Sequence, residues 1–345
     1  RIEKAIDMGE SFHVYMVLPV HPEGPLNMLT LMTQVHLTMQ TLSLGENSLI
    51  DRIQWAMAIK GFMDRGMTEQ GAKKQALLES SDEVPVYKQQ NWQQYLTLLN
   101  LRTWDMFGGY PVTEQIYVHS KLLIADDRVA VIGSANINDR SQLGDRDSEL
   151  AVVVSGGATN TEFIDGHCNY PVCNAVQQLR MDLWRKLFGL EISHPEVKVK
   201  PASQLETTLT QPAAAESWHS IQAQAAENTK FYQAAFPFIP RNGASIWPTW
   251  EKMVTARTTP NTPEEELDTY MPFDEGFWKY PTMAAVPNEI KGFITALPIN
   301  WTQSEYNDST ANLSILALIE PQLFSGQGVA TVAYNPRAQN NIGTT

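Results

Sequence analysis

His119 and Lys121 lie two positions apart in the stretch YVHSKLLIA. On an extended strand, residues i and i+2 point to the same face, so an imidazole and an ammonium group are expected to reach one site. Asp126 and Asp127 then predict a tight turn, and the apolar residues 129–132 predict the return strand of a hairpin. An unpaired lysine is costly to bury, which favours a charge-balanced functional site over two inward-facing polar residues of a structural strand.

The predicted return strand ends in small residues that can form hydrogen bonds. They are Gly133, Ser134 and Asn136 in the sequence GSAN. An imidazole, an ammonium, a hydroxyl and an amide on neighbouring strand ends are the groups that phosphoryl chemistry uses, because they move protons and stabilise negatively charged oxygens. The pattern therefore predicts a phosphate-binding, proton-transferring site.

The whole stretch resembles the phospholipase D superfamily, whose mark is H-x-K-x4-D followed by G-S-x-N. The matching residues are His119, Lys121, Asp126, Gly133, Ser134 and Asn136. The run that follows, INDRS and then GDRDSE up to Glu149, is similar to the second motif of eukaryotic-type phospholipases D in particular. The match is long and ungapped, and it covers residues 2–189 better than the remainder of the chain.

The resemblance implies hydrolysis or transphosphatidylation of the distal phosphodiester of glycerophospholipids, which yields phosphatidic acid and a free headgroup. A phosphohistidine intermediate would divide this difficult step into two. Because the stretch is similar to the second motif, His119 is expected to act as general acid and then general base. No cofactor and no metal are needed for this scheme.

The resemblance also implies roles for the other matching residues. Lys121, Ser134 and Asn136 are expected to hold the phosphoryl oxygens, and Glu149 is expected to accept a hydrogen bond from the catalytic histidine. The two remaining positions, Asp126 and Gly133, are expected to be structural parts of the motif.

A complete site of this type takes two H-x-K motifs, and the sequence contains one: no other histidine is followed two residues later by lysine. We expect a partner half that carries the first motif, in another chain or in an N-terminal segment of the same protein. A homodimeric single-motif phosphodiesterase, either a nuclease or an enzyme similar to cardiolipin synthase, is an alternative. A non-catalytic lipid-binding module is another.

The net charge of −13 over 345 residues argues against nucleic acid as the main partner, since proteins that bind it usually carry a basic surface. A phospholipid membrane surface is the expected partner, and no apolar run is long enough to span a bilayer. Cys168 and Cys173 could close a small disulfide loop or stay free thiols, and both alternatives remain open at this point.

The pattern of apolar residues predicts an α/β fold. We expect a mixed β-sheet flanked by helices, a phospholipase D-like α/β/α half, with a less regular C-terminal helical extension. The predicted division is a catalytic half at residues 1–189, carrying the second motif, and an extension at residues 190–345 packed on it. Strands are predicted at residues 12–18, 100–107, 114–119, 148–154 and 291–298, and helices at 2–8, 26–44, 49–62, 89–99, 174–188 and 217–235.

Bacterial effectors delivered into neighbouring cells also carry eukaryotic-type phospholipase D sequences. The resemblance therefore suggests a secreted protein, or one delivered to a target-cell membrane or periplasm. The alternative is a peripheral protein on intracellular membranes.

Overall fold

The computed structural model describes residues 1–23, 35, 37–45, 47–78, 84–156, 160–192, 194, 196–236, 239–242 and 288–301. Within these residues the protein has an α/β fold in which mixed sheets are flanked by helices, as predicted. Part of the predicted helix at residues 26–44, and much of the predicted C-terminal extension, lie outside the described residues.

The largest sheet has four strands arranged around one long central strand. β2 (Leu96–Phe107) pairs in parallel with β1 (Val14–Val17) and antiparallel with β3 (Tyr110–Gln115). It also pairs antiparallel with β9 (Ile294–Ala296), so residues beyond position 189 contribute a strand to this sheet. The division of the chain at residue 189 stays a prediction.

Helices cover both faces of β2. Leu96 and Leu98 pack in a cluster with Ile50 and Ile53 of the helix α2 (Leu49–Asp64). The side chains of the alternate positions, among them Leu99 and Leu101, point to the opposite face. There they pack in a second cluster with residues of two further helices.

The two helices on that opposite face are α5 (Asn174–Leu187) and α6 (Ala215–Ala235). The 3₁₀ segment Ser203–Leu209 contributes to the same cluster through Leu205. The two layers of helices on either side of the sheet give the α/β/α arrangement that the sequence predicts.

The smaller elements complete the described order. Two short helices, α1 (Ile2–Met8) and α3 (Glu69–Ala76), flank the first layer, and α4 (Asp139–Gln142) is a single turn. The remaining described elements are a π-helical turn at Gln40–Leu44 and 3₁₀ turns at Val86–Gln89 and Trp92–Gln94.

The predicted helix at residues 89–99 is wrong for its second half. Its first half contains the 3₁₀ turn Trp92–Gln94 and the end of the turn Val86–Gln89, and β2 begins at Leu96 rather than at residue 100. The sequence LTLL has apolar residues on both faces of an extended chain, which suits a central strand covered on two sides. This tertiary covering, absent from the local pattern, decides the conformation.

The second sheet carries the predicted motif. It has three antiparallel strands in the order β4 (Lys121–Ala125), β5 (Val129–Gly133) and β6 (Ala151–Ser155). Ala130 of this sheet packs against Val176 of α5, so the helix that covers the large sheet also supports the small one. A two-stranded ribbon, β7 (Asn160–Glu162) and β8 (Tyr170–Val172), lies between the second sheet and α5 in the chain.

Candidate functional site

The hairpin β4–β5 forms as predicted, but β4 begins at Lys121, so the predicted strand at residues 114–119 is wrong for its second half and His119 lies outside the strands. The turn joins the paired residues Ala125 and Val129, and its first two residues are Asp126 and Asp127. Both residues have positive φ, 54° and 52°, and the Arg128 amide donates to the Ala125 carbonyl at 2.9 Å. Positive φ at both central positions is the mark of the type I′ turn, whose twist matches that of the flanking strands. Aspartate tolerates this backbone region better than most residues.

Lys121 lies at the far end of the hairpin from the turn and faces Gly133 across the strands. Gly133 also pairs with Ala151 of β6, so Lys121 and the beginning of β6 approach the same glycine from two sides. The Lys121 ammonium donates a hydrogen bond to the His119 carbonyl at 2.7 Å. The backbone of the predicted catalytic histidine is thereby tied to the predicted phosphate-binding lysine.

Gly133 is placed where no larger residue fits. A Cβ at this position would lie 2.7 Å from the Leu150 carbonyl oxygen and 3.0 Å from the Ala151 Cβ. The close approach of β6 to β5 therefore requires glycine at the strand end. The structural role that the motif implies for Gly133 stays a prediction.

The Ser134 hydroxyl connects β5 to Glu149. It donates a hydrogen bond to the Glu149 carboxylate and accepts one from the Leu150 amide at 3.0 Å. The Ser134 amide in turn donates to the Leu150 carbonyl at 3.0 Å, which continues the ladder between the strands. Ser134 therefore positions Glu149, in addition to the phosphate contact that the sequence predicts for it.

The Glu149 carboxyl is held in its charged form. The Ser134 hydroxyl is the largest cause that keeps its pKa below the ordinary value, and the Ser141 hydroxyl is the next. The nearby Lys121 ammonium acts in the same direction, while the Asp147 carboxylate opposes it. A carboxylate with these neighbours can accept a hydrogen bond from a donor such as a histidine N–H.

The His119 side chain is exposed and stacks near Tyr117, with ring centroids 6.2 Å apart. Its ring forms no hydrogen bond with a described residue, so the predicted contact between His119 and Glu149 stays a prediction. Asn136 is also exposed, and its carbonyl accepts a hydrogen bond from the Gln142 side chain at 2.8 Å. The structure thus groups Lys121, Ser134 and Glu149, and leaves the side chains of the other two residues open to solvent.

Asp126 lies at the turn, five positions from Lys121 along the strand and on the order of 16 Å away from it. Its side chain is exposed, so it does not join the cluster of Lys121, Ser134 and Glu149. The structural role expected of Asp126 stays a prediction.

The neighbouring Asp127 was not predicted to have a role, but it anchors the hairpin. It forms a bidentate ion pair with Arg180 of α5, with Nε–Oδ1 at 2.9 Å and Nη2–Oδ2 at 2.7 Å. Both side chains are buried, and Arg180 also donates to the Leu209 carbonyl at 2.7 Å. The doubled aspartate at the turn was the available signal, but a partner 53 residues away cannot be identified from local spacing.

Within the part of the chain that the structure describes, no group of three or more His, Cys, Asp or Glu side chains could hold a metal ion. Cys168 and Cys173 are free thiols, the first exposed and the second buried. None of the described helices is long and apolar enough to cross a bilayer.

The sequence profile of the family described as Phospholipase D matches residues 1–252, which include the hairpin, Glu149 and both helices behind them. The chain belongs to the phospholipase D family. Phospholipase D2 of Bos taurus is 29% identical over 311 residues, which is 89% of this chain and 27% of that protein. Phospholipase D of Phytophthora infestans is 32% identical over 251 residues, covering 70% of this chain and 11% of that protein.

A third relative, phospholipase D C of Dictyostelium discoideum, is 36% identical over 199 residues, which is 57% of this chain and 10% of that protein. The chain therefore spans between about a tenth and a quarter of the length of these three phospholipases D. Family membership applies to this chain as it stands.

Proposed function

We propose that the chain is the second-motif half of a phospholipase D. The observation that carries the proposal is the grouping of Lys121, Ser134 and Glu149 at one end of the β4–β6 sheet, beside the exposed His119. These are the residues that the family motif assigns to phosphate binding and proton transfer. The match of the family profile to residues 1–252 supports the same proposal.

In the proposed reaction, a histidine of the partner half attacks the phosphorus of a phospholipid and forms a phosphohistidine. The bond to the headgroup oxygen breaks, and His119 as imidazolium gives its proton to that oxygen. Neutral His119 then takes a proton from water, which attacks phosphorus and releases phosphatidic acid and the free partner histidine. An alcohol in place of water gives transphosphatidylation, and Lys121, Ser134 and Asn136 hold the phosphoryl oxygens throughout.

The partner in this proposal is a half that carries the first H-x-K motif, because the sequence contains one such motif. It is supplied by another chain or by an N-terminal segment of the same protein. The alternative is a homodimer, in which His119 of one copy would be the nucleophile and no first-motif half would be needed.

A phospholipid is the proposed substrate in preference to nucleic acid. A net charge of −13 disfavours the approach of a polyanion, whereas one lysine at the site suffices for a single phosphodiester. The proposed place of action is accordingly a membrane surface, reached after secretion or delivery to a target cell or periplasm. A peripheral position on intracellular membranes is the alternative, and fractionation of the source cells separates the two.

The test measures headgroup release from phosphatidylcholine and phosphatidylethanolamine vesicles, with plasmid cleavage assayed in parallel. The chain mixed with a fragment that carries the first motif should be active, and His119→Ala should lower the rate by about 10²- to 10⁴-fold. His194→Ala, at an exposed histidine far along the chain from the motif, is the matched control and should keep full activity.

Several outcomes would contradict the proposal. Headgroup release by the purified chain as a homodimer would overturn the need for a first-motif partner. Unchanged turnover in His119→Ala would refute the mechanism. Plasmid cleavage without headgroup release would establish a nuclease, and vesicle binding without either activity would establish a lipid-binding module.

A further inference from the structure

The loop between β5 and β6 brings a second hydroxyl to Glu149. Ser141 belongs to the short helix α4 and is 7% exposed, although the loop around it is mostly open to solvent. Its Oγ atom is buried and forms no hydrogen bond with a described residue. It is nevertheless close enough to the Glu149 carboxyl to lower the pKa of that group.

The backbone around Ser141 is fixed by the loop itself. The Ser141 amide donates to the Asn138 side-chain oxygen at 3.0 Å, and the Gln142 side chain donates to the Asn136 carbonyl at 2.8 Å. Arg140, the residue before Ser141, forms an ion pair with Asp147 at 2.8 Å. This ion pair joins the helix α4 to the segment that leads into Glu149.

A buried hydroxyl without a partner costs about 1 to 3 kcal/mol, so such a group is normally placed where an acceptor is within reach. The Glu149 carboxylate is an acceptor beside Ser141, and a carboxylate has lone pairs for several donors. Ser134 uses the Oε2 atom of Glu149 and leaves further lone pairs for another hydroxyl.

We infer that Ser141 is a positioning residue, which together with Ser134 forms a pair of hydroxyls that holds the Glu149 carboxylate toward the catalytic histidine. Ser134 is fixed by the ladder between β5 and β6, and Ser141 by the loop, so the carboxylate is held from two independent directions. The consequence for His119 rests on the proposed function. The interaction of Ser141 with Glu149 does not, because it is inferred from the buried Ser141 hydroxyl and from the Arg140–Asp147 ion pair that joins α4 to the segment before Glu149.

The charged groups that act on Glu149 from these elements are few. Lys121 on β4 favours the ionised carboxylate, and Asp147 in the loop opposes it. The charge of Asp147 is partly neutralised by Arg140. Loss of the Ser141 hydroxyl should raise the Glu149 pKa, since it removes a donor that favours the ionised carboxylate.

The test follows the side-chain carboxyl of Glu149 by NMR in the full chain labelled with ¹³C-glutamate, with Glu149→Gln used to assign the signal. Ser141→Ala should move the titration to higher pH, and Ser134→Ala/Ser141→Ala should move it further. Ser148→Ala is the matched control, because Ser148 is exposed and lies next to Glu149 in the chain. Ser141→Thr keeps the hydroxyl and should restore the native titration.

In the active assembly with a first-motif fragment, the acid limb of the pH–rate profile should move to higher pH in Ser141→Ala. In Ser141→Thr it should lie at the native position. A Glu149 titration in Ser141→Ala identical to that in Ser148→Ala would overturn the inference. If Ser141→Ala fails to fold, Ser141→Cys preserves the side-chain volume with a weaker donor and is judged by the same titration. A shifted titration in an inactive assembly would support this contact while refuting the proposed function.

Discussion

Gly133 shows how little space the end of the hairpin leaves beside Lys121 and Ser134. Because β6 lies against β5 at this point, a single methyl group would meet the Leu150 carbonyl at 2.7 Å. The neighbouring Ser134 depends on the same approach, since its hydrogen bonds all go to residues 149 and 150. At the scale of single residues, the geometry of the site therefore depends on glycine at position 133 as much as on the polar groups.

Gly133→Ala is expected to separate β5 from β6 at the site and to lower the free energy of unfolding by about 1 to 3 kcal/mol. The Ser134–Glu149 contact should weaken, so the Glu149 pKa should rise at the same time. Urea unfolding measures the first effect and NMR titration the second.

Gly61→Ala is the control for this substitution. Gly61 lies within α2 with no atom near its added Cβ, so alanine there should be neutral or stabilising by up to about 1 kcal/mol. Equal stability of the two variants would show that the strands tolerate a side chain at position 133.

At the scale of elements, the hairpin is held at its turn by the helix α5. The Asp127–Arg180 pair is buried, bidentate and reinforced by the Leu209 carbonyl, and the Asp127 carbonyl also accepts from the Cys173 amide at 2.9 Å. Arg180 further stacks over the Trp184 ring at 5.0 Å. The helix thereby fixes the distance between the large sheet and the strands that carry the site.

Arg180→Met is expected to destabilise the protein by about 3 to 5 kcal/mol, because it leaves the Asp127 carboxylate buried without its counter-charge. Arg185→Met removes an ion pair with Asp182 on the same helix, but that pair is largely exposed and is expected to contribute less than about 1 kcal/mol. Thermal and urea unfolding of both variants measure the difference. Comparable losses would show that the buried pair is no more important than a surface one.

The sequence predicts well the elements with a strong local pattern and poorly those decided by distant contacts. The hairpin β4–β5, the helix α5 and the helix α6 form where apolar spacing predicts them. The beginning of β2 was predicted to be helical, because its covering layers come from residues 49–64 and 174–235. Ser141 and Arg180 were missed for the same reason, since each acts on a residue outside its own element.

At the scale of the whole molecule, one half-buried histidine next to β1 connects that strand to the helix α6. His13 donates from Nδ1 to the Gln94 carbonyl at 3.0 Å, and its Nε2 lies 2.7 Å from the Thr97 hydroxyl. The ring stacks on Trp218 of α6 with centroids 5.2 Å apart. Gln222 of the same helix donates to Thr97 at 2.8 Å, so the Thr97 hydroxyl is oriented to donate to His13.

This network accommodates the neutral ring and opposes the charged one. Burial lowers the pKa of His13 to about 4 from the ordinary 6.5, although the Gln94 carbonyl acts the other way. A protonated Nε2 would face the Thr97 oxygen, which already receives the Gln222 donor. The unfolded chain therefore binds a proton at His13 below about pH 6.5, whereas the folded protein binds one there only below about pH 4.

It follows that the stabilising contribution of neutral His13 is present at pH 7 and is lost as the pH falls through this window. The expected loss is about 2 kcal/mol between pH 7 and pH 5, since each pH unit between the two pKa values changes the balance by roughly 1.4 kcal/mol. His13→Gln removes the titrating group, so the free energy of unfolding of this variant should fall by about 2 kcal/mol less than that of the native protein over the same interval.

His194→Gln, at an exposed histidine, should keep the native pH dependence. Urea unfolding at pH 7, 6 and 5 distinguishes these cases, and an equal fall in the native protein and in His13→Gln would place the pH sensitivity elsewhere in the molecule.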